Sequence, residues 1–282
     1  MVDIKAPDGS QLGDRPFVMG ILNVTPDSFS DGGQFSGEGA IEHARRMVAE
    51  GADIIDIGGE STRPGSDPVP FEEEMARIEE VLPAVVDLGV PVSIDTTKAS
   101  VAEWALDNGA VIVNDVSACR FDDEMAPLVA GRGCPLVLMH MLGMPKTMQE
   151  DPTYPRGVVQ EITAFFQERL EAVAGSGVRM DQVILDPGIG FGKTVPHNLT
   201  ILDRLVEFQE LGQPIMVGAS RKWFIGLVGG GEVGERLGGS IAAVVVAVLG
   251  GAEIVRVHDV AETVQAVRVA HSISNYNEWR GS

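Results

Sequence analysis

The sequence is poor in cysteine and in lysine, and it has no apolar run long enough to cross a bilayer. Two cysteines occur in 282 residues, Cys119 and Cys134. They lack metal-ligand spacing and allow one disulfide at most, so they read as reduced thiols in or near the core of a cytosolic protein. Five lysines stand against sixteen arginines, and the net charge is −20 with an isoelectric point of about 4.5. That balance argues against a nucleic-acid or anionic-membrane partner, either of which needs a positive footprint. Adaptation to salt and compositional drift explain the acidic, lysine-poor surface equally well. The longest apolar stretch, Ile241–Leu249, is too short to span a membrane. The opening residues MVDIKAPDGSQLG have neither a basic n-region nor an apolar h-region, so no signal peptide is expected and the expected compartment is the cytoplasm. No glycine-rich phosphate turn follows the first apolar run. No Ser/His/Asp triad, cysteine nucleophile or His/Cys metal cage stands out.

What is present is a regular alternation of short apolar runs with longer amphipathic ones. The runs predict strands at Phe17–Val24, Asp53–Ile57, Pro91–Ile94, Val111–Val113, Leu136–Met139, Val183–Leu185, Ile215–Val217 and Ile254–Val257. They are rich in Val, Ile and Leu and barely alternate, as parallel strands covered on both sides do. The clearest helical patterns are Ala40–Glu50, Phe71–Val86, Val101–Asn108, Val158–Ala174 and Val260–His271. Several end in glycine, at Gly51, Gly89 and Gly109, which suits a left-handed cap. Eight strand–helix units predict an α/β fold, a (β/α)8 TIM barrel, as one domain over residues 1–282. An open doubly wound sheet would need the missing phosphate turn. Residues 1–16 contain a Pro7-Asp8-Gly9 turn and predict an N-terminal hairpin plugging the barrel bottom, and 272–282 form a C-terminal tail. The segment Ser240–Leu249, SIAAVVVAVL, is apolar on every face, so neighbouring helices or a second subunit must cover it. The expected state is a homodimer.

Barrel active sites lie at the C-terminal ends of the strands. The stretch Met19–Gly33, MGILNVTPDSFSDGG, shows the event: an apolar run stops at Asn23 and a glycine-ended loop follows. The other strand ends offer Glu60, Thr62 and Arg63; Asp95; Asn114 and Asp115; His140; Asp186; Ser220, Arg221 and Lys222; Arg256 and His258. Asp115 and Asp259 read better as turn or cap residues. Asp95, Asn114 and Asp186 are short-stemmed hydrogen-bonding groups rooted in buried strands, where carboxylates need donors. A flat heterocycle with an amino-amidine edge would supply them, and the carboxylates would stabilise positive charge developing on the ring. Arg63, Lys222, Arg256 and His258 form a cationic group that suits a phosphate or pyrophosphate inside an acidic protein. Lys222 reads as functional, whereas Lys146 and Lys193 read as solvated loop charges. Asn23 and Asp27 suit a hard cation such as Mg2+ that shares its ligands with phosphates.

The segments ILNVTPDSFSDGG, DIGGESTRPG, SIDT, NDV, MHMLGMPKTMQ, DPGIGFGKT, GASRK and RVHDV together resemble the dihydropteroate synthase family over nearly the whole chain. The first two and GASRK carry the specificity, and Phe29 and Pro64 are both in place. The resemblance implies a (β/α)8 transferase of folate biosynthesis. It joins p-aminobenzoate to 6-hydroxymethyl-7,8-dihydropterin diphosphate, giving 7,8-dihydropteroate and pyrophosphate, with Mg2+ required and sulfonamides as inhibitors. By motif, Asp95, Asn114, Asp186 and Lys222 would hold the pterin, with Met139 and Arg256 near its ring. Asn23 would contact Mg2+ and the diphosphate, and Arg63, Arg256 and His258 would clamp the diphosphate. Thr62, Pro64, Phe191, Ser220 and Lys222 would shape the p-aminobenzoate pocket, with Phe29 closing over it. Catalysis would rest on Lys222, Asp95 and Asp186, with Asp27 and Asp31 as candidate proton acceptors. A methyltetrahydrofolate-dependent corrinoid methyltransferase would share the carboxylates but has no pyrophosphate to bind. A non-catalytic pterin-binding paralogue would be expected to lack one of the first-loop or GASRK motifs. A phosphosugar-type barrel enzyme would not explain TPDSFSDGG.

Overall fold

The computed structural model describes residues 2–25, 30–31, 34–35, 37–61, 66, 68–144 and 146–276, with the side chains of 30–31 and 34–35 outside that description. Eight parallel strands run β1 (Phe17–Asn23), β2 (Ile54–Gly58), β3 (Val92–Asp95), β4 (Ile112–Asp115), β5 (Leu136–Met139), β6 (Val183–Asp186), β7 (Met216–Val217) and β8 (Ile254–Val257). They pair in the order β6-β5-β4-β3-β2-β1-β8-β7, and a parallel bridge between Leu185 and Ile215 joins the two ends. The sheet is thus a TIM barrel, with strand ends within two residues of those the apolar runs predict. A two-residue antiparallel ladder, Ser30–Asp31 with Gln34–Phe35, follows β1.

The outer helices are α1 (Gly37–Ala49), α2 (Phe71–Ile78), α3 (Val81–Val86), α4 (Ala99–Asp107), α5 (Met125–Arg132), α6 (Val158–Gly175), α7 (Val195–Asp203), α8 (Trp223–Gly229), α9 (Leu237–Leu249) and α10 (Val260–Ser274). The single helix expected over Phe71–Val86 is two helices, α2 and α3. Pro83 has no N–H to donate to Glu79, and its ring crowds that carbonyl, so the helix breaks there.

Strand residues alternate between two cores. Val18, Ile55, Ile57, Val92, Ile94, Leu138, Leu185 and Val255 face the helices. Phe17, Met19, Ile54, Ile112, Val137, Ile184, Met216 and Ile254 fill the barrel's lower interior together with Val2, Ile4, Ala6 and Leu12. Those last four come from a hairpin closed by the Lys5–Gln11 bridge. Arg15 ties the hairpin down by two bonds to Asp53, at 2.9 and 2.7 Å, while Asp53 also accepts from the Val18 amide at 2.8 Å. The lower barrel is therefore sealed by apolar side chains. The next inward positions up the strands are Asp56, Ser93, Asp95, Asn114, Asp186 and Arg256, so one end of the interior is dry and the other polar. Cys119 and Cys134 are free thiols, and burial pushes Cys134 up to about 11.

Candidate active site

At the centre of the polar end, one carboxylate oxygen of Asp56 gathers two partners from opposite sides of the barrel. Asn114 Nδ2 donates to it at 3.0 Å and Arg256 Nε at 2.6 Å. The Arg256 guanidinium then reaches Asp95 Oδ2 at 2.7 Å. Asp56, Asp95 and Asn114 are buried, and Arg256 is nearly so. The other oxygens of both carboxylates, Asp56 Oδ1 and Asp95 Oδ1, are buried without a hydrogen-bond partner among the described residues. An unpaired buried acceptor costs about 1–3 kcal/mol, so these oxygens favour any ligand that brings N–H groups. Burial raises the Asp95 carboxyl to about 7, against the pull of the Arg256 guanidinium. Burial also raises Asp186, opposed by the Gly188 amide that donates to Asp186 Oδ1 at 2.7 Å.

Met139 is buried one strand from Asp186, paired with it in register, and packs with Val116, Met141, Met148 and Phe191. Lys222 stands above this apolar wall, its Nζ 4.2 Å from the centre of the Phe191 ring. Ser220 is buried; its hydroxyl accepts the His258 N–H at 3.2 Å and lies 3.1 Å from His258 Nδ1. Burial first, and then the neighbouring Arg256, Arg221 and Lys222, lower His258 to about 3, so its imidazole is neutral here. Between Ser220 and Lys222, Arg221 holds a left-handed backbone, φ +55°. Asp259 grips its guanidinium twice, the Ser240 hydroxyl accepts its N–H at 2.9 Å, and Arg236 donates to its carbonyl at 3.2 Å. This left-handed residue stands between Ser220, whose hydroxyl meets His258, and Lys222, whose head group lies over Phe191. Asn23, half-buried, ends β1 at the same rim.

The structure thus brings Asp95, Asn114, Met139, Asp186, Phe191, Ser220, Lys222, Arg256 and His258 to the polar end of one barrel, with Asn23 on its edge. Asp27, Phe29, Thr62, Arg63 and Pro64 lie outside the described residues, as does the side chain of Asp31. Asp115 is a turn residue, accepting from the amides of Ser117 at 2.7 Å and Cys119 at 2.8 Å. Glu60 binds Lys98 at 2.5 Å, and Lys98 reaches the fully buried Glu74 at 2.6 Å.

Two residues differ from the sequence reading. Lys193 is not a solvated loop charge: it is fully buried, because the chain after β6 folds back over the end of β5. Asp56 does not stand out as a strand-end residue, yet it is the hub of the buried network. Its signal is a lone carboxylate inside the apolar run IIDIG, at an inward position.

A family model described as a pterin-binding enzyme matches residues 19–258. A dihydropteroate synthase of Synechocystis is 46% identical over 93% of this chain and 91% of its own. The Yersinia pestis dihydropteroate synthase, solved with a sulfonamide drug, superposes with a TM-score of 0.90 at 41% identity, covering 96% of this chain and 99% of that one. The Xanthomonas albilineans dihydropteroate synthase, solved with 4-aminobenzoic acid, superposes with a TM-score of 0.87 at 44% identity, covering 94% and 95%.

Proposed function

The chain belongs to the dihydropteroate synthase family, and from that premise we infer how this barrel carries out the family's reaction. The enzyme is a transferase of folate biosynthesis. It condenses 6-hydroxymethyl-7,8-dihydropterin diphosphate with p-aminobenzoate to give 7,8-dihydropteroate and pyrophosphate.

The pterin enters edge-first against Asp95, Asn114 and Asp186, with Met139 and Arg256 beside its ring and Lys222 at its rim. The observation that carries this reading is the buried Oδ1 of Asp95, without a hydrogen-bond partner among the described residues. Ring and exocyclic N–H groups satisfy it and compete with the Arg256 guanidinium for the same carboxylate. Loosened from Asp95, Arg256 turns its charge toward the diphosphate, together with Asn23, Arg63 and His258.

The chemistry runs by dissociation. The bond between the pterin methylene carbon and the diphosphate oxygen breaks, and its electron pair leaves with pyrophosphate. The cation delocalised into the pterin is stabilised by Asp95 and Asp186, fixed in a dry site where charge–charge terms are strong. The amine of p-aminobenzoate, held between Phe191, Ser220, Lys222, Thr62 and Pro64, then attacks the methylene with its lone pair. Its proton passes to Asp27 or Asp31, and Phe29 covers the pocket. The arylamine is nucleophilic at neutral pH, so positioning and water exclusion do most of the work. A side-chain amide oxygen such as that of Asn23 suits Mg2+, a hard cation that keeps few protein ligands and shares substrate phosphates. When bound, that ion offsets charge on the leaving pyrophosphate.

Residues 1–282 act as one pterin-binding barrel unit in the cytoplasm, with 1–16 as its plug; the tail expected from residue 272 is helical through Ser274, where α10 ends. The active form is a homodimer. Ala243, Val244, Ala247 and Val248 of α9 are buried against the barrel, but Val246 and Leu249 are 45% and 53% exposed. On the adjoining α10, Val269 and Ile273 are 56% and 63% exposed. A second copy is the simplest cover for this apolar face.

One assay tests the reading. Purified protein with the pterin diphosphate, p-aminobenzoate and Mg2+ should release pyrophosphate, and a sulfonamide should inhibit competitively with p-aminobenzoate. No release where a known synthase works refutes the mechanism. Release that saturating sulfonamide leaves untouched refutes the arylamine pocket.

A further inference from the structure

The loop after β6, Gly188–Lys193, lies flush on the chain leaving β5. A Cβ on Gly188 would stand 2.0 Å from the His140 carbonyl oxygen, and one on Gly192 2.5 Å from that of Leu142. Three successive carbonyls of the loop each meet a side-chain donor. The Gln149 amide donates to Gly190, Lys193 Nζ donates to Phe191 at 3.0 Å, and the Tyr154 hydroxyl donates to Gly192 at 2.8 Å. Gln149 and Tyr154 reach across from the chain after β5, whereas the Lys193 head group meets acceptors on both loops. Its Nζ also donates to the His140 carbonyl at 3.3 Å and lies 2.9 Å from His140 Nδ1.

Lys193 forms no salt bridge among the described residues, and it is fully buried. A lysine in that setting is costly, and a methionine or leucine would fill the space more cheaply. What the amine adds is direction: donors to fixed acceptors on both loops. Burial pushes both the Lys193 amine and the His140 imidazole well below their usual values. Three contacts hold the head group in place, with the Phe191 carbonyl, the His140 carbonyl and His140 Nδ1.

We infer that Lys193 is a positioning residue for the arylamine step, fixing the height of the Phe191 ring, and through it the seat of Lys222, by clamping the Phe191 carbonyl to the end of β5. This rests on the reading that Phe191 walls the p-aminobenzoate pocket.

The test is steady-state kinetics on the full-length protein. Lys193→Met should raise KM for p-aminobenzoate about tenfold or more, while KM for the pterin diphosphate and kcat at saturating p-aminobenzoate stay within about threefold. A lower kcat that tracks the folded fraction, with both KM values unchanged, overturns the inference and leaves Lys193 merely structural. Phe191→Ala separates the two levels of the argument. If it leaves KM for p-aminobenzoate unchanged, the pocket reading fails, and the inference with it. If it raises that KM and Lys193→Met does not, the inference alone fails. Should Lys193→Met not fold, His140→Leu and His140→Asn carry the same question, because asparagine restores a polar atom at the δ position. His140→Leu should raise KM for p-aminobenzoate and His140→Asn should not; an unchanged KM in His140→Leu overturns the inference.

Discussion

At the scale of single residues, the site is governed by how burial moves protons. Asp95 is raised to about 7 by desolvation. Its carboxylate form, which stabilises the pterin cation, therefore fills as pH rises through that value. We expect kcat/KM for the pterin diphosphate to climb between about pH 6 and 8. Asp95→Asn should remove that limb and lower kcat/KM by about 10²–10³-fold; a pH–rate profile of both proteins decides it. His258 moves the other way. Its folded value of about 3 lies below the unfolded value of 6.5, so the unfolded chain binds more protons between the two. Stability is then complete above about pH 6.5 and falls as pH drops toward 3, by up to about 1.4 kcal/mol per pH unit for one imidazole. Thermal melts from pH 7 to 4 should show a shallower decline in His258→Gln. An identical slope would place the acid sensitivity elsewhere, with His140 the next group to try.

At the scale of elements, glycines set how closely the loops stack over the barrel mouth. Gly188 has φ +68° and no room for a Cβ beside the His140 carbonyl. Gly188→Ala should lower the urea midpoint by the equivalent of about 3 kcal/mol or more and depress kcat, because β5 and β6 must separate to admit it. Much at this scale was legible in the chain. The apolar runs located all eight strands, since a strand covered on both faces cannot hide its composition. The run from Phe71 to Val86 misled, because the apolar spacing continues through Pro83 although the hydrogen-bond ladder does not. Lys193 misled for a related reason. A lysine in a glycine-rich loop reads as solvated, and only the return of that loop over β5 buries it.

At the scale of the molecule, two features oppose each other: a net charge of −20 and an apolar face on α9 and α10 that is exposed among the described residues. Like charge repels two copies, and apolar area draws them together. Sedimentation should show a dimer whose affinity rises as salt is added from low ionic strength to about 0.15 M. Val246→Asp should give a folded monomer, because the residue is exposed within one chain and buried only if a second copy is present. A wild-type protein that sediments as a monomer at every salt concentration would refute the dimer.

The eight-fold strand–helix alternation, the polar residue at each strand end and the family motifs are local patterns, each readable within a few residues of chain. They do not determine how the polar residues pair. Arg256 meets Asp56 across 200 residues of chain and Asp95 across 161, and Asn114 meets Asp56 across 58. Those partners are chosen by barrel closure and strand stagger, which bring inward positions of distant strands to one height. Closure likewise left Asp95 with one oxygen unpaired among the described residues, buried Lys193, and turned one side of α9 outward. Local periodicity reports which residues face inward, and only the closed sheet decides what they face.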